Sequence, residues 1–283
     1  MPTYNNYATS WIHKKSSSQH YAHQYLEKPT MYQKLPDLNN LRVLSLGCGS
    51  GEECQELLGR GASFVLAIDI SQDLIDYAKT VYVNEIKDGK IAFIYGDINN
   101  LDQLLGNYFG DLNDDLANSF ADKFDFVFSS LTIHYIDNWQ KVFCTIKNYM
   151  GQGSKALFSC HHPVKWGAKS IRSKESNSFI LGYKKYKSKT NSNSNSKNQQ
   201  DDYEIYGDYL TTRAVEDKLF GQLDITYYHK SISQIFLDIS RSGLVLSDLL
   251  EPLPQIETRT IKPDFYYTYS KIPLFLVFEL SRF

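Results

Sequence analysis

The sequence predicts an α/β fold built on a mostly parallel sheet with helices on both faces. Three observations predict it. Val43–Leu46 is a short apolar strand that runs into glycines at alternate positions, Gly47, Gly49 and Gly51, and then into Glu52 and Glu53 at a helix start. Apolar runs of strand length then recur between amphipathic stretches. The next apolar run ends in Asp69, about 20 residues past the loop, where a nucleotide-binding sheet of this class holds a ribose.

Taken in order, residues 1–40 read as an N-terminal helical segment, with a helix near Ser18–Glu27. Tyr21 and Tyr25 share one face of it at i,i+4 spacing, either to close over a ligand or to pack. The glycine loop lets the backbone approach a ligand closely, because glycine tolerates positive φ and has no Cβ. Its G-x-G-x-G spacing is neither the dinucleotide fingerprint nor a P-loop. Glu52 and Glu53 suit a helix N-terminus but would repel a pyrophosphate there. The expected ligand is therefore an adenosine without phosphates; an ordinary strand-to-helix turn would need only one glycine.

The run Ser63–Ile68 makes the second strand. Ser71 serves as N-cap of a helix over Gln72–Val83, which leaves the Asp69 carboxylate to accept from a vicinal diol. Ile91–Tyr95 makes the third strand and ends in Gly96-Asp97-Ile98. Asp97 fits either an adenine amine or an Asx turn before a helix near Asn99–Leu105. Asn107–Asp122 reads as a surface loop. Phe124–Phe128 makes the fourth strand and ends in Ser129-Ser130-Leu131, so that four polar clusters meet at the carboxyl edge of the sheet.

Residues 41–163 thus form the cofactor-binding half, and residues 164–228 interrupt the alternation. This insertion holds Trp166, Tyr183, Tyr186, Tyr203, Tyr206, Tyr209, Tyr227 and Tyr228, together with a polar low-complexity tract across 187–200. It reads as an aromatic lid over the carboxyl edge, or as a hairpin that merely packs on the sheet. Residues 229–283 complete the fold with a helix over Ile232–Arg241, stopped by Gly243, and strands Leu244–Leu249 and Leu274–Leu280.

Composition narrows the partners. A net charge of −2 over 283 residues gives no global field toward nucleic acid or anionic membranes. No apolar run approaches the roughly 20 residues of a membrane span, and the N-terminal stretch is polar and aromatic rather than signal-like. Cys48, Cys54, Cys144 and Cys160 show no C-x-x-C spacing, so reduced thiols and a cytoplasmic location are expected. Cys160-His161-His162 has metal-binding residue types, but adjacent strand-end side chains diverge, so no metal is expected.

On Val43–Gly51, Ala67–Ser71, Gly96–Ile98 and Phe124–Leu131 the chain resembles the class I S-adenosylmethionine-dependent methyltransferases, and within them the small-molecule, quinone-biosynthesis-like group. Phe158–Val164, Tyr228–Ser231 and Pro273–Phe278 are similar to the family's fifth strand, the start of its last helix and its final strand. The resemblance implies a Rossmann-like seven-stranded, mostly parallel sheet, with a lid inserted between strand five and the last helix. It implies S-adenosylmethionine as cofactor, with Gly47, Cys48 and Gly49 cradling its methionine part, Gly51 also in the binding loop, Asp69 on the ribose and Ile70 on the adenine. Asp97 and Ile98 would meet the adenine edge, Ser129 and Leu131 would lie under the sulfonium with His134 nearby, and Tyr25 would cover the site. The resembled family usually has Asp or Glu where this chain has Ser45, an acid that helps organise the cofactor's amino-acid end through water; Glu52 or an N-terminal residue is expected to compensate here.

The implied reaction is methyl transfer to a small-molecule acceptor by in-line displacement. The methyl is already activated, so alignment matters most and a base is needed only if a proton must leave early. His134, His162 and His229 are the candidate bases. Two other expectations share the core: a protein or RNA methyltransferase, and a non-catalytic partner protein with this fold.

Overall fold

A computed structural model describes residues 21–110, 124–168, 181–186, 202–219 and 223–283. Seven strands form one sheet in the order β10-β11-β5-β4-β1-β2-β3. They are β1 (Arg42–Leu46), β2 (Phe64–Asp69), β3 (Ile91–Tyr95), β4 (Phe124–Ser129), β5 (Met150–His161), β10 (Val245–Leu250) and β11 (Phe275–Ser281). The first five pair in parallel, and β11 runs antiparallel to both of its neighbours, so the sheet is mixed by one reversed strand. The strand order reverses at β1, between β2 and β4. That switch point opens a crevice at the carboxyl ends of the strands.

Each face of the sheet is covered by helices, because the central strands are apolar on both sides. Helices α1 (Lys28–Lys34), α2 (Glu52–Gly59) and α3 (Gln72–Val81) bury Met31, Cys54, Leu57, Ile75 and Ala78 against Val43, Val65, Phe126, Phe128 and Leu157. A short α4 (Val83–Lys87) follows. On the other face α5 (Leu101–Gly110), α6 (Trp139–Tyr149) and α8 (Ile232–Ser242) bury Leu105, Trp139, Phe143, Ile146, Ile235 and Ile239 against Leu44, Leu66, Val127, Phe158 and Phe278. Helix α7 (Pro163–Gly167) leads into the insertion. There β6 (Gly182–Tyr186) pairs with β7 (Asp202–Tyr206), and β8 (Arg213–Leu219) pairs with β9 (Leu223–His229), as two hairpins outside the main sheet. Helices α9 (Thr258–Ile261) and α10 (Pro263–Tyr269) link β10 to β11.

Several local expectations shift. The helix from Gln72 ends at Val81, because Tyr82 turns inward, packs on Phe93 and donates its hydroxyl to the Gly51 carbonyl at 2.6 Å. The N-terminal helix runs past Glu27 to Lys34 through a π-turn over His23–Glu27, with the Lys28 N–H donating to the His23 carbonyl. Pro29 explains the wide turn: it has no N–H to give the Tyr25 carbonyl, which accepts from Gln255 instead at 2.9 Å. Residues 107–110 continue α5, and the rest of the expected loop lies outside the described residues, as do residues 18–20 and the tract 187–200. Gly243 stops α8 at φ 78°, and Ser71 caps α3 by accepting from the Leu74 N–H.

Candidate functional site

The crevice beside β1 is lined first by the glycine loop. Gly47, Gly49 and Gly51 all have positive φ, at 71°, 52° and 84°. A Cβ on Gly47 would fall on the Thr132 side chain, whereas one on Gly49 would meet nothing within 4 Å. The loop thus presses against the exit of β4 at one point and leaves open room at the next. The Gly47 and Cys48 N–H groups donate to the Ile68 carbonyl at 2.8 and 3.1 Å. The Gly49 N–H donates to Asp69 Oδ2 and the Ser71 N–H to Asp69 Oδ1, each at 2.8 Å. Burial raises the Asp69 carboxyl above its ordinary value, and the backbone N–H groups of Ser71, Gly49 and Ile70 oppose that rise. A carboxylate offers about four acceptor sites and three backbone N–H groups face this one, so the acid is oriented by the loop and keeps capacity to accept from a hydroxyl.

The other expected site residues have separate surroundings. Ile70, just past Asp69, is 48% exposed. Cys48 turns inward against Cys54; that contact and burial raise its thiol, so only its backbone faces the loop. Asp97 Oδ1 accepts from the Asn99 N–H at 2.9 Å, so of its two expected roles the Asx turn is formed. The Ile98 side chain is buried in the core. Ser129 Oγ donates to the Leu46 carbonyl at 3.1 Å and ties β4 to β1 beneath the loop. Leu131 is held at φ 48°, a left-handed conformation rare for a branched side chain, and its N–H donates to Ser159 Oγ at 2.9 Å. Tyr25 is half-buried and packs against the Tyr21 ring at 4.5 Å, tilted by 33°.

The three candidate histidines separate. His162 caps α7 by accepting from the Val164 N–H at 3.2 Å, and its Nε2 lies 2.9 Å from Glu251. His229 Nε2 sits 2.8 Å from the Tyr209 carbonyl. His134 lies after β4 and is stacked on His161 at 4.3 Å, inside a group of rings with Tyr135, Tyr227 and Trp166. Burial, with Lys165 adding to it, pulls the His134 imidazole down to about 3. Its Nδ1 accepts from the His161 N–H at 3.4 Å, so the proton sits on Nε2, which is buried without a hydrogen-bond partner among the described residues. His161, absent from the sequence-based candidates, is lowered as well, by burial first and then by Lys165 and His134.

Sequence reasoning also missed Glu27. This carboxylate is fully buried on the π-turn. Its Oε1 accepts from Ser130 Oγ at 2.9 Å and from Ser159 Oγ, and its Oε2 lies 3.0 Å from His23 Nε2. Burial lowers the His23 imidazole, but Glu27 and then Glu53 outweigh it and raise it overall. The available signal was the i,i+4 spacing of His23 and Glu27 just before Pro29. Among the described residues no group of three His, Cys, Asp or Glu is placed to hold a metal ion, and no helix is long and apolar enough to cross a membrane.

A family model for a methyltransferase domain matches residues 37–207. An uncharacterized protein of Haemophilus influenzae is 30% identical over 142 residues, covering 50% of each chain. The magnesium-protoporphyrin O-methyltransferase of Rhodobacter capsulatus is 43% identical over 82 residues, 29% of this chain and 35% of that one. The matched stretches therefore span half or less of these curated relatives. The crystal structure of an S-adenosylmethionine-dependent methyltransferase from Mesorhizobium loti superposes with a TM-score of 0.65 at 22% identity, over 90% of this chain and 97% of that one.

Proposed function

The chain belongs to the methyltransferase-domain family and has the class I S-adenosylmethionine-dependent methyltransferase fold, and from that premise we propose that it transfers a methyl group to a small-molecule acceptor. The observation that carries the reading is the Gly49–Asp69 pairing at the switch point, where the loop leaves open room and the acid is already aimed. These residues fit S-adenosylmethionine: Asp69 for the ribose, Ile70 for the adenine, and the loop from Gly47 to Gly51 with Ser129 and Leu131 for the methionine and sulfonium parts. Bound there, the cofactor supplies a methyl already activated on a positive sulfur.

The protein's share is alignment and exclusion of water. A base with a pKa near 3 is a poor proton acceptor at neutral pH, so His134 is better suited to donate from Nε2 to an acceptor oxygen than to remove a proton. His162 and His229 are occupied by the cap with Glu251 and by Tyr209, which supports a structural role for both. The β8–β9 hairpin brings Tyr227 onto Trp166 and Tyr135 at the exits of β4 and β5, which favours a flat or apolar acceptor on that side. The net charge of −2 favours a small molecule over nucleic acid.

Calorimetry with S-adenosylhomocysteine tests the donor half: the wild type is expected to bind and Asp69→Ala to lose roughly tenfold or more in affinity, two charge-assisted hydrogen bonds being removed. Absence of binding by the wild type at millimolar nucleoside would point to a non-catalytic partner protein. Incubation with methyl-labelled cofactor and fractionated metabolite extract then identifies the acceptor; label entering only protein or RNA fractions would refute the small-molecule assignment.

A further inference from the structure

The fold places a buried carboxylate where it has too little positive charge. Glu27 projects from the π-turn onto the sheet face that carries Ser45. The register shows the relation: Ser45 pairs with Phe128, which pairs with Leu157, and Ser159 lies two residues beyond Leu157 on the same face. Glu27, bound to Ser159 and Ser130, therefore sits one pleat repeat, roughly 7 Å, nearer the carboxyl edge than Ser45. Ser45 itself is buried and neutral, with the Cys54 thiol against its hydroxyl at 3.8 Å.

Two hydroxyls satisfy Oε1. Among the described residues Oε2 has one polar neighbour given for it, the His23 imidazole at 3.0 Å. His23 is shared, because Glu53 Oε1 is also 3.6 Å from its Nε2, and Lys28 is engaged with Glu52 at 2.8 Å and Glu53 at 3.4 Å. A buried carboxylate whose second oxygen has only a shared imidazole beside it is thinly compensated, so it marks a place for a further cationic donor. The same carboxylate reaches the strained turn: Glu27 holds Ser159, and Ser159 holds the Leu131 N–H at its left-handed φ.

We infer that Glu27 receives the α-ammonium of the cofactor's amino-acid part, a role moved from strand β1, where Ser45 stands, to the N-terminal helix. This rests on the S-adenosylmethionine reading above. An ammonium offers three donors and a fixed charge, which Oε2 lacks in a shared imidazolium. The consequence is coupling: the segment over the crevice is fastened by the ligand beneath it.

The test uses the full chain and two nucleosides, S-adenosylhomocysteine, which carries the ammonium, and 5′-methylthioadenosine, which has no amino-acid part. Glu27→Gln is expected to weaken S-adenosylhomocysteine by roughly 10- to 100-fold while changing methylthioadenosine less than about twofold. Adding Ser45→Asp to Glu27→Gln is expected to restore part of the loss. Equal weakening of both ligands makes Glu27 a structural residue only and overturns the assignment, as does unchanged binding of S-adenosylhomocysteine. A second measurement needs no variant. In the wild type, amide hydrogen exchange across residues 21–34 should slow with S-adenosylhomocysteine and not with methylthioadenosine; equal protection by both overturns the proposal. A wild type that binds methylthioadenosine and S-adenosylhomocysteine with equal affinity overturns it while leaving the nucleoside site intact. A wild type that binds neither overturns the cofactor reading itself.

Discussion

At Gly47 the chain turns so tightly against Thr132 that no side chain fits, and the φ of 71° excludes most L-residues independently. Gly47→Ala is expected to cost about 1–2 kcal/mol from the backbone alone, and more because Thr132 must give up its hydrogen bond to the Ser130 carbonyl. The denaturant midpoint checks this, and a Gly49→Ala variant is the comparison. Its Cβ meets open space in the free protein, so the excess cost at Gly47 reports the Thr132 contact. The two positions look alike in the sequence. Only the packing of the β4 exit distinguishes a glycine needed for a neighbour from one that leaves room.

At the scale of elements, α8 is fixed by more than its apolar stripe. Lys230 precedes the helix and is buried; its Nζ lies 3.0 Å from Asp238 Oδ2, while Gln234 donates to Asp238 Oδ1 at 2.8 Å. Removing one member of a buried ion pair leaves the other charge uncompensated, at a cost of roughly 3–5 kcal/mol. Lys230→Met should therefore lower the unfolding free energy by that order, and Lys230→Met with Asp238→Leu should recover most of it. Chemical denaturation of the two variants decides the point; equal destabilisation would mean the pair contributes little. The sequence displays both residues but not their meeting, since an exposed lysine and an exposed aspartate would read the same way. The π-turn is a similar case: Pro29 is visible in the sequence, but its consequence depends on Gln255, far along the chain, reaching the vacated Tyr25 carbonyl.

For the whole molecule, buried imidazoles set the response to acid. His134, His161, His162 and His229 are all lowered chiefly by burial, His134 to about 3. Their unfolded value is about 6.5, so below that pH the unfolded chain binds protons that the folded one refuses. The stability they give is complete above pH about 6.5 and is lost as pH falls. His23 is raised, so it acts oppositely, favouring the fold below its unfolded value; the raised Asp69 likewise relieves its penalty on acidification. Among the described residues four lowered imidazoles stand against one raised, which predicts a falling melting temperature and unfolding free energy between pH 7 and pH 5. His134→Phe should flatten the pH dependence of the unfolding free energy, by up to about 1.4 kcal/mol per pH unit below pH about 6, and an unchanged slope would contradict its burial as a neutral ring.

Local patterning determined most of the framework. Strand runs such as Phe64–Asp69, the Ser71 and Gly243 caps, the glycine loop and the acid after β2 are each written within a few residues, because backbone propensity, capping and alternation act over that range. What only the tertiary structure decided involves partners distant in the chain: Glu27 on Ser130 and Ser159, Leu131 held left-handed by Ser159, His134 stacked on His161 beneath the β8–β9 hairpin, and α9 and α10 beside the N-terminal helix. A carboxylate in a sequence carries no mark of its burial. Its energy is set by which dipoles and charges the fold brings around it, and those come from strands and helices a hundred residues apart.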